Sequence, residues 1–124
     1  MKVAFCSNNG VSVNEHFGRS RYIYIYDVDE DGYTLSEKRE LIVVDGSKEH
    51  KDTTESKVRS IKDCALLYVC AIGGPAAAVS VRNKIHPIKV DENTDIVNLL
   101  ERLKNLLRAN PPIWLKKVIQ TKGE

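Results

Sequence analysis

The groups in this sequence that could do chemistry are three thiols, one imidazole and the bare backbone of a double glycine. The three thiols are those of Cys6, Cys64 and Cys70. The imidazole of His16 stands in the segment NEHFGRS, and Gly73 and Gly74 stand in CAIGGP. Thiolate and imidazole ligands suit iron and iron–sulfur species better than magnesium or calcium. The set therefore favours soft-metal chemistry, although no pair of cysteines has the CxxC spacing of a zinc site.

The segment Gly73-Gly74-Pro75 predicts a turn from a strand into a helix. Proline pre-sets the dihedral of a first helical turn, so the helix is predicted to begin at Pro75. The free N–H groups at such a helix end attract anions and lower the pKa of a nearby thiol. Cys70 is accordingly expected to be the most reactive thiol, followed by Cys6. The turn is neither a GxGxxG motif nor a P-loop, and a tight connection without any ligand explains it equally well.

Each of these side chains also has a purely structural explanation. Cys6 and Cys70 can be small buried hydrophobic residues, and Cys64, between a helix and a strand, is attributed mostly to packing. His16 can be a polar loop residue whose hydrogen bonds are satisfied, with Phe17 as an apolar plug beside it.

Hydrophobic periodicity predicts the elements that would position these residues. Residues 2–6 and the apolar run ALLYVC at 65–70 indicate buried strands, the second covered on both faces. The segment YIYIYDV alternates strictly, and a returning strand at 33–44 has a polar middle that indicates an edge or a bulge. Helices are predicted at about 53–62, from Pro75 to a left-handed cap at Asn83, from Asn93 or Thr94 to Asn110, and at about 112–120.

This order of elements predicts an α/β fold. The first three strands can form an antiparallel meander, and the later β-α-β unit must be parallel with a right-handed crossover. The prediction is a mixed five-stranded sheet with helices on its faces, the ribonuclease H-like architecture, in a single domain over residues 1–124.

Ligands of open α/β sheets bind at the carboxyl ends of the central strands. The first strand ends at Cys6-Ser7 and the fourth at Cys70, while the segment 14–18 can close over the same rim. An anionic metal–sulfur cluster would use both the soft ligands and the helix end. The residues predicted to bind it are Cys6, Ser7, Asn14, His16, Cys70, Gly73 and Gly74.

Composition and motifs exclude several classes of protein. A formal charge of +2 with interleaved acids gives no stripe for nucleic acid. No segment has the apolar length of a membrane span, and the N-terminus is not a signal peptide, so with an odd number of cysteines a reducing cytoplasm is expected.

The sequence lacks residues or motifs that three kinds of enzyme require. The strands KVAFC and ALLYVC carry no carboxylates for a two-metal nuclease, and there is no GxSxG elbow of a serine hydrolase. A Cys–His nucleophile pair from Cys6 or Cys70 with His16 is conceivable, but no local signature supports it.

Three stretches resemble the nitrogenase iron–molybdenum cofactor biosynthesis proteins. SNNGVSVNEHFGRSRYIYIYDV resembles their S-x-x-G-x-x-V-x-x-HFG signature before an aromatic strand. KDCALLYVCAIGGPAAAVSVRNKIHPIKV is similar to their strand, double-glycine turn, helix and strand. NLLERLKNLLRANPPIWLKK is similar to the tail of NifX-type members. The resemblance covers nearly the whole chain.

The resemblance implies a ribonuclease H-like fold and a carrier without catalytic activity. Such a carrier binds the iron–molybdenum cofactor, or its iron–sulfur precursor cluster, and passes it between nitrogenase cofactor assembly proteins. It makes His16 a candidate cluster ligand, beside Cys70 and Cys6. Phe17 is expected to anchor the loop, Gly18 to permit its turn, and Arg19 and Arg21 to add positive potential.

Two functions of other classes remain open. One is a small anion- or nucleotide-binding regulatory module that uses the helix end at Gly73-Gly74. The other is a cysteine-dependent enzyme.

Overall fold

A computed structural model describes residues 1–41 and 50–122 of the chain, with backbone only at 50–53. The main-sheet strands are β1 (Lys2–Cys6), β3 (Tyr22–Asp29), β4 (Gly32–Glu40), β5 (Leu66–Val69) and β6 (His86–Lys89); two short strands are β2 (Ser12–Val13) and β7 (Thr94–Asp95). The helices are α1 (His50–Arg59), α2 (Gly74–Arg82), α3 (Ile96–Arg108) and α4 (Ile113–Lys122).

The main sheet has the strand order β4-β3-β1-β5-β6. β3 pairs antiparallel with both β1 and β4, whereas β5 pairs parallel with both β1 and β6. The predicted mixed five-stranded α/β sheet, with an antiparallel meander and a parallel β-α-β unit, is confirmed. Strands β1 and β5 lie at its centre, so their carboxyl ends form the middle of one edge.

Side chains alternate between two apolar layers on the faces of this sheet. One layer holds Ala4, Cys6, Ile23, Ile25, Leu67 and Val69, and it is covered by Val58 and Val79 from the α1 and α2 regions. The other holds Val3, Phe5, Leu66, Tyr68 and Cys70, and it is covered by Leu100 of α3 and Leu115 of α4. All four residues of β5 are buried, as its continuous apolar run predicts.

The returning strand is confirmed both as an edge strand and as a bulged one. β4 pairs only with β3, and its register shifts where Ile25 faces Glu37 but Tyr26 faces Leu35. Ser36 is the extra residue of this bulge. The strand ends at Glu40, and residues 42–44 of the predicted strand lie outside the described residues.

Helix boundaries differ from the predictions by a few residues. α1 begins at His50, before the expected Thr53 or Thr54, and α2 begins at Gly74. The left-handed residue after α2 is Lys84 (φ 63°), whereas Asn83 has φ −90°. The cap of α3 is Asp95, whose carboxylate accepts a hydrogen bond from the Val97 amide at 2.9 Å. Asn93 is left-handed in the preceding turn and therefore does not serve as this cap.

The small sheet of β2 and β7 was missed, because strands of two residues show no periodicity. It ties the loop after β1 to the start of α3. Gly10 in this loop has φ +74°, and a Cβ there would come within 2.9 Å of the Tyr24 ring. Glycine is required at this position both by the backbone conformation and by the close approach to Tyr24.

Candidate functional site

The segment that carries His16 lies beside the chain that leaves β5. His16 forms an isolated parallel bridge with Ala71, and the Phe17 amide donates to the Ala71 carbonyl at 2.9 Å. A 3₁₀ turn follows at Phe17–Arg19, and the His16 carbonyl accepts hydrogen bonds from the amides of Arg19 and Ser20. The segment therefore closes over the edge of the sheet where it was predicted to do so.

A surface depression of about 380 Å³ lies between this turn and the start of α2. It is lined by His16, Gly18, Arg19, Ala71, Ile72 and Gly73. His16 is exposed, and its imidazole makes no capping hydrogen bond to the turn that it precedes. The ring is thus available to a ligand in the depression.

The glycines around the depression are not required by the fold. Neither Gly18, Gly73 nor Gly74 has a positive φ. A Cβ at Gly18 or Gly74 would meet no atom within 4 Å, and one at Gly73 would meet only Pro75 Cδ at 3.9 Å. The expectation that Gly18 permits the turn is therefore wrong, since an L side chain fits there. Gly18 and Gly73 line the depression, and their bare backbone leaves room for a ligand to approach the chain closely.

The helix end at the depression is open. Gly73 is the N-cap residue of α2 and contributes no side-chain hydrogen bond, and the first turn holds no acidic residue. The unsatisfied N–H groups of that turn, with the exposed Arg19 guanidinium nearby, favour negative charge in the depression.

The structure does not bring Cys6 and Cys70 together at one site. Cys6 packs in the layer under α1 and α2, and Cys70 packs in the layer under α3 and α4. Cys6 is 0% exposed and Cys70 is 8% exposed. Because the two side chains leave opposite faces of the sheet, the prediction that both thiols face one ligand is not met.

The thiols are also harder to ionise than the sequence suggested. Burial raises the pKa of Cys6 to about 12, although a hydrogen bond with Ser20 and the charge of Lys57 act in the opposite direction. Burial likewise raises the pKa of Cys64 to about 12 and raises that of Cys70. The lowered pKa expected for Cys70 is wrong, because its side chain packs in the layer opposite α2 and not toward the end of that helix.

Ser7 and Asn14 build the loop that supports the site. The buried Ser7 hydroxyl oxygen accepts from the amides of Asn9 and Gly10 at 3.2 and 2.9 Å. The Asn14 side-chain amide accepts from the Asn8 backbone at 3.0 Å and donates to the Asn8 side chain at 2.8 Å. Ser7 is 0% exposed, and its hydrogen bonds shape the loop.

Lys57 is a residue of this site that the sequence did not reveal. It lies beneath the turn with 0% exposure, and its Nζ donates to the Ser20 carbonyl at 2.7 Å. A lysine on a polar helix such as HKDTTESKVR is normally a solvated residue, and no pattern in the segment indicates otherwise.

Comparison with known proteins identifies the family of the chain. Residues 1–106 match the family model described as dinitrogenase iron-molybdenum cofactor. The chain belongs to this dinitrogenase iron-molybdenum cofactor family, called the cofactor family below. The resemblance seen in the sequence is thereby confirmed.

Members of the cofactor family with similar sequences include three Nif proteins. Protein NifX of Herbaspirillum seropedicae is 36% identical, over 100% of this chain and 84% of that protein. Protein NifX of Azotobacter vinelandii is 37% identical, over 99% of this chain and 78% of that protein. Protein NifY of Klebsiella pneumoniae is 40% identical over 92% of this chain, which spans only 48% of that longer protein.

A solved structure supports the fold. The crystal structure of PH0822 has a TM-score of 0.64 at 20% identity, over 85% of this chain and 90% of that one. None of the helices described for this member of the cofactor family has the length and apolar character needed to cross a membrane.

The described part of this cofactor-family chain contains no group of three or more His, Cys, Asp or Glu residues that could hold a metal ion. The depression instead offers one exposed imidazole, bare glycine backbone and the exposed Arg19 side chain. A single imidazole can supply one ligand to iron.

Proposed function

We propose that this member of the cofactor family is a carrier without catalytic activity. It binds the iron–molybdenum cofactor, or its iron–sulfur precursor cluster, and passes it on during nitrogenase cofactor assembly. The observation that carries the proposal is the exposed His16 imidazole beside a depression lined by glycine backbone. Membership of a family described by this cofactor supports the identity of the cargo.

His16 is the first ligand in this proposal. A neutral imidazole donates a nitrogen lone pair to iron, and an imidazolium cannot. One such bond leaves the remaining faces of a cluster open to the next protein, which suits cargo that must be released. The open end of α2 and Arg19 stabilise an anionic cluster through backbone N–H groups and charge.

The thiols have a smaller part in it. Cys70 is a second ligand only if its side chain turns outward and loses a proton that burial helps it to keep. Cys6 reaches a cluster only if the turn over it opens, since it is fully buried. Binding therefore begins at His16 and reaches a thiol only after rearrangement.

The strand order supports the ribonuclease H-like assignment that accompanies the proposal. The partners proposed for the protein are a donor and an acceptor of the cluster among the cofactor assembly proteins, because a carrier needs both. The proposed place of action is the cytoplasm.

An anaerobic titration tests the carrier function. Isolated iron–molybdenum cofactor, and separately an iron–sulfur cluster, are added to the purified protein, which is then separated from free cluster by gel filtration. Broad visible absorption that elutes with the protein at a fixed stoichiometry is the expected result. A protein that elutes colourless, and whose melting temperature rises with nucleotide, would contradict the proposal and favour the anion-binding module.

A further inference from the structure

Lys57 of α1 has a fully buried side chain. Its side chain has 0% exposure, its Nζ lies 2.7 Å from the Ser20 carbonyl oxygen, and the same atom lies 5.2 Å from the centre of the Phe17 ring. None of the ion pairs formed by the described residues includes Lys57. Among the described residues, the groups that contact this ammonium are a carbonyl and an aromatic face.

Such an arrangement costs the folded protein stability. An ammonium has three N–H donors and loses its hydration on burial. Burial lowers the pKa of Lys57, while nearby Cys6 and Glu15 act in the opposite direction. Burying an ammonium costs free energy unless it is well paired, and an apolar side chain of similar size does not carry that cost. Packing alone thus gives no reason for a lysine at this position.

The contacts of Lys57 lead directly to the turn that carries His16. Ser20, which accepts from Lys57, donates its own amide to the His16 carbonyl at 2.9 Å. Phe17, whose ring lies over the ammonium, is the residue next to His16 and is 1% exposed. The ammonium thus contacts both ends of the Phe17–Arg19 turn.

We propose that Lys57 is a positioning residue of the cluster site. It fixes the turn that presents His16, and it places a positive charge beneath a site whose cargo is anionic. Because the charge is shielded from water, it is screened less by salt than the charge of the exposed Arg19. This inference rests on the proposed carrier function and names the residue that holds its ligand in place.

The test compares Lys57→Met with the wild-type protein. Methionine has a similar length but neither the charge nor the N–H donors. Lys116→Met is the matched control, since Lys116 is exposed on α4, which covers the opposite face of the sheet. Three quantities are measured: the melting temperature of the cluster-free protein, amide hydrogen exchange at residues 16–20, and the affinity for isolated iron–molybdenum cofactor.

We expect Lys57→Met to melt at the wild-type temperature or above it. Its Arg19 and Ser20 amides should exchange faster, while those of β1 and β3 are unchanged. Cluster affinity should fall about tenfold or more, as it does when outer partners of metal ligands are removed. Lys116→Met should match the wild type in all three measurements.

Two results would overturn the proposal. A Lys57→Met protein that melts much lower, or does not fold, would reduce Lys57 to a stabilising residue. A variant with unchanged exchange and unchanged affinity would remove it from the site. If the wild type itself binds no cluster, the carrier function fails, and the exchange measurement still decides whether Lys57 fixes the turn.

Discussion

Cys6 and Cys70 are buried on opposite faces of the sheet, whereas the His16 side chain is exposed. Burial therefore decides which of these reactive side chains can act. Strands β1 and β5 are both almost entirely apolar, so their patterns do not fix their register. In the structure Ala4 of β1 pairs with Leu67 of β5. This register sets Cys6 beside Val69, so the Cys6 side chain lies on the sheet face opposite that of Cys70.

The reactivity of the thiols follows from this placement. Ellman's reagent added to the native protein should modify Cys70 first, since it alone has measurable exposure among the three. All three should react much more slowly than a free thiol, because burial raises the pKa of each. Mass spectrometry of the partly modified protein identifies the order. Rapid modification of Cys6 would show that the turn over it opens readily.

At the scale of elements, the turn at Phe17–Arg19 depends on one buried ring. The sequence predicted Phe17 as the anchor of the loop, and its 1% exposure confirms this. A large apolar side chain within the otherwise non-apolar segment NEHFGRS is enough to make that prediction. The lysine beneath the ring could not be predicted, because a charged helix residue is nearly always solvated.

Removing the ring should destabilise the whole protein. Phe17→Ala leaves a cavity in the layer under α1 and α2, so we expect the free energy of unfolding to fall by about 3–5 kcal/mol. Urea denaturation measures this change. His16→Ala is the control, and it should cost little because His16 is exposed. Equal losses in the two variants would contradict the assignment of Phe17 as plug and His16 as ligand.

At the scale of the whole molecule, the two apolar layers enclose thiols that remain protonated well above neutral pH. The mixed sheet was predictable because β3 alternates strictly, and because the short apolar run of β5, followed by a Gly-Gly-Pro turn, is typical of a buried strand. The β2–β7 sheet was not, since it depends on pairing between distant segments.

This burial predicts a loss of stability in alkali. Cys6 and Cys64 have a pKa of about 12 in the folded protein, whereas a thiol of the unfolded chain has a pKa of about 8.5. Between these values the unfolded chain binds fewer protons, so the free energy of unfolding falls as the pH rises, by about 1.4 kcal/mol per unit and thiol.

Urea denaturation between pH 7 and pH 10 measures this slope. Cys64→Ser removes one of the two thiols. The free energy of unfolding of this variant should therefore fall less steeply with pH, because only Cys6 still contributes. Normalising each protein to its own stability at pH 7, where the thiols are protonated, removes the effect of the substitution on packing. An identical decline in variant and wild type would show that Cys64 is not held protonated by the fold.

The central claim is that His16 is the ligand through which this protein holds a cluster. The measurement that tests it most directly is the affinity for isolated iron–molybdenum cofactor as a function of pH, in wild type, His16→Ala and His86→Ala. His86 is the matched control, because it stacks on Trp114 at 4.9 Å and does not line the depression. We predict that wild type and His86→Ala lose affinity together as the pH falls, because a protonated imidazole cannot bind iron. His16→Ala should bind about tenfold or more weakly and without that pH dependence, and a His16→Ala protein with wild-type affinity and pH profile would contradict the account.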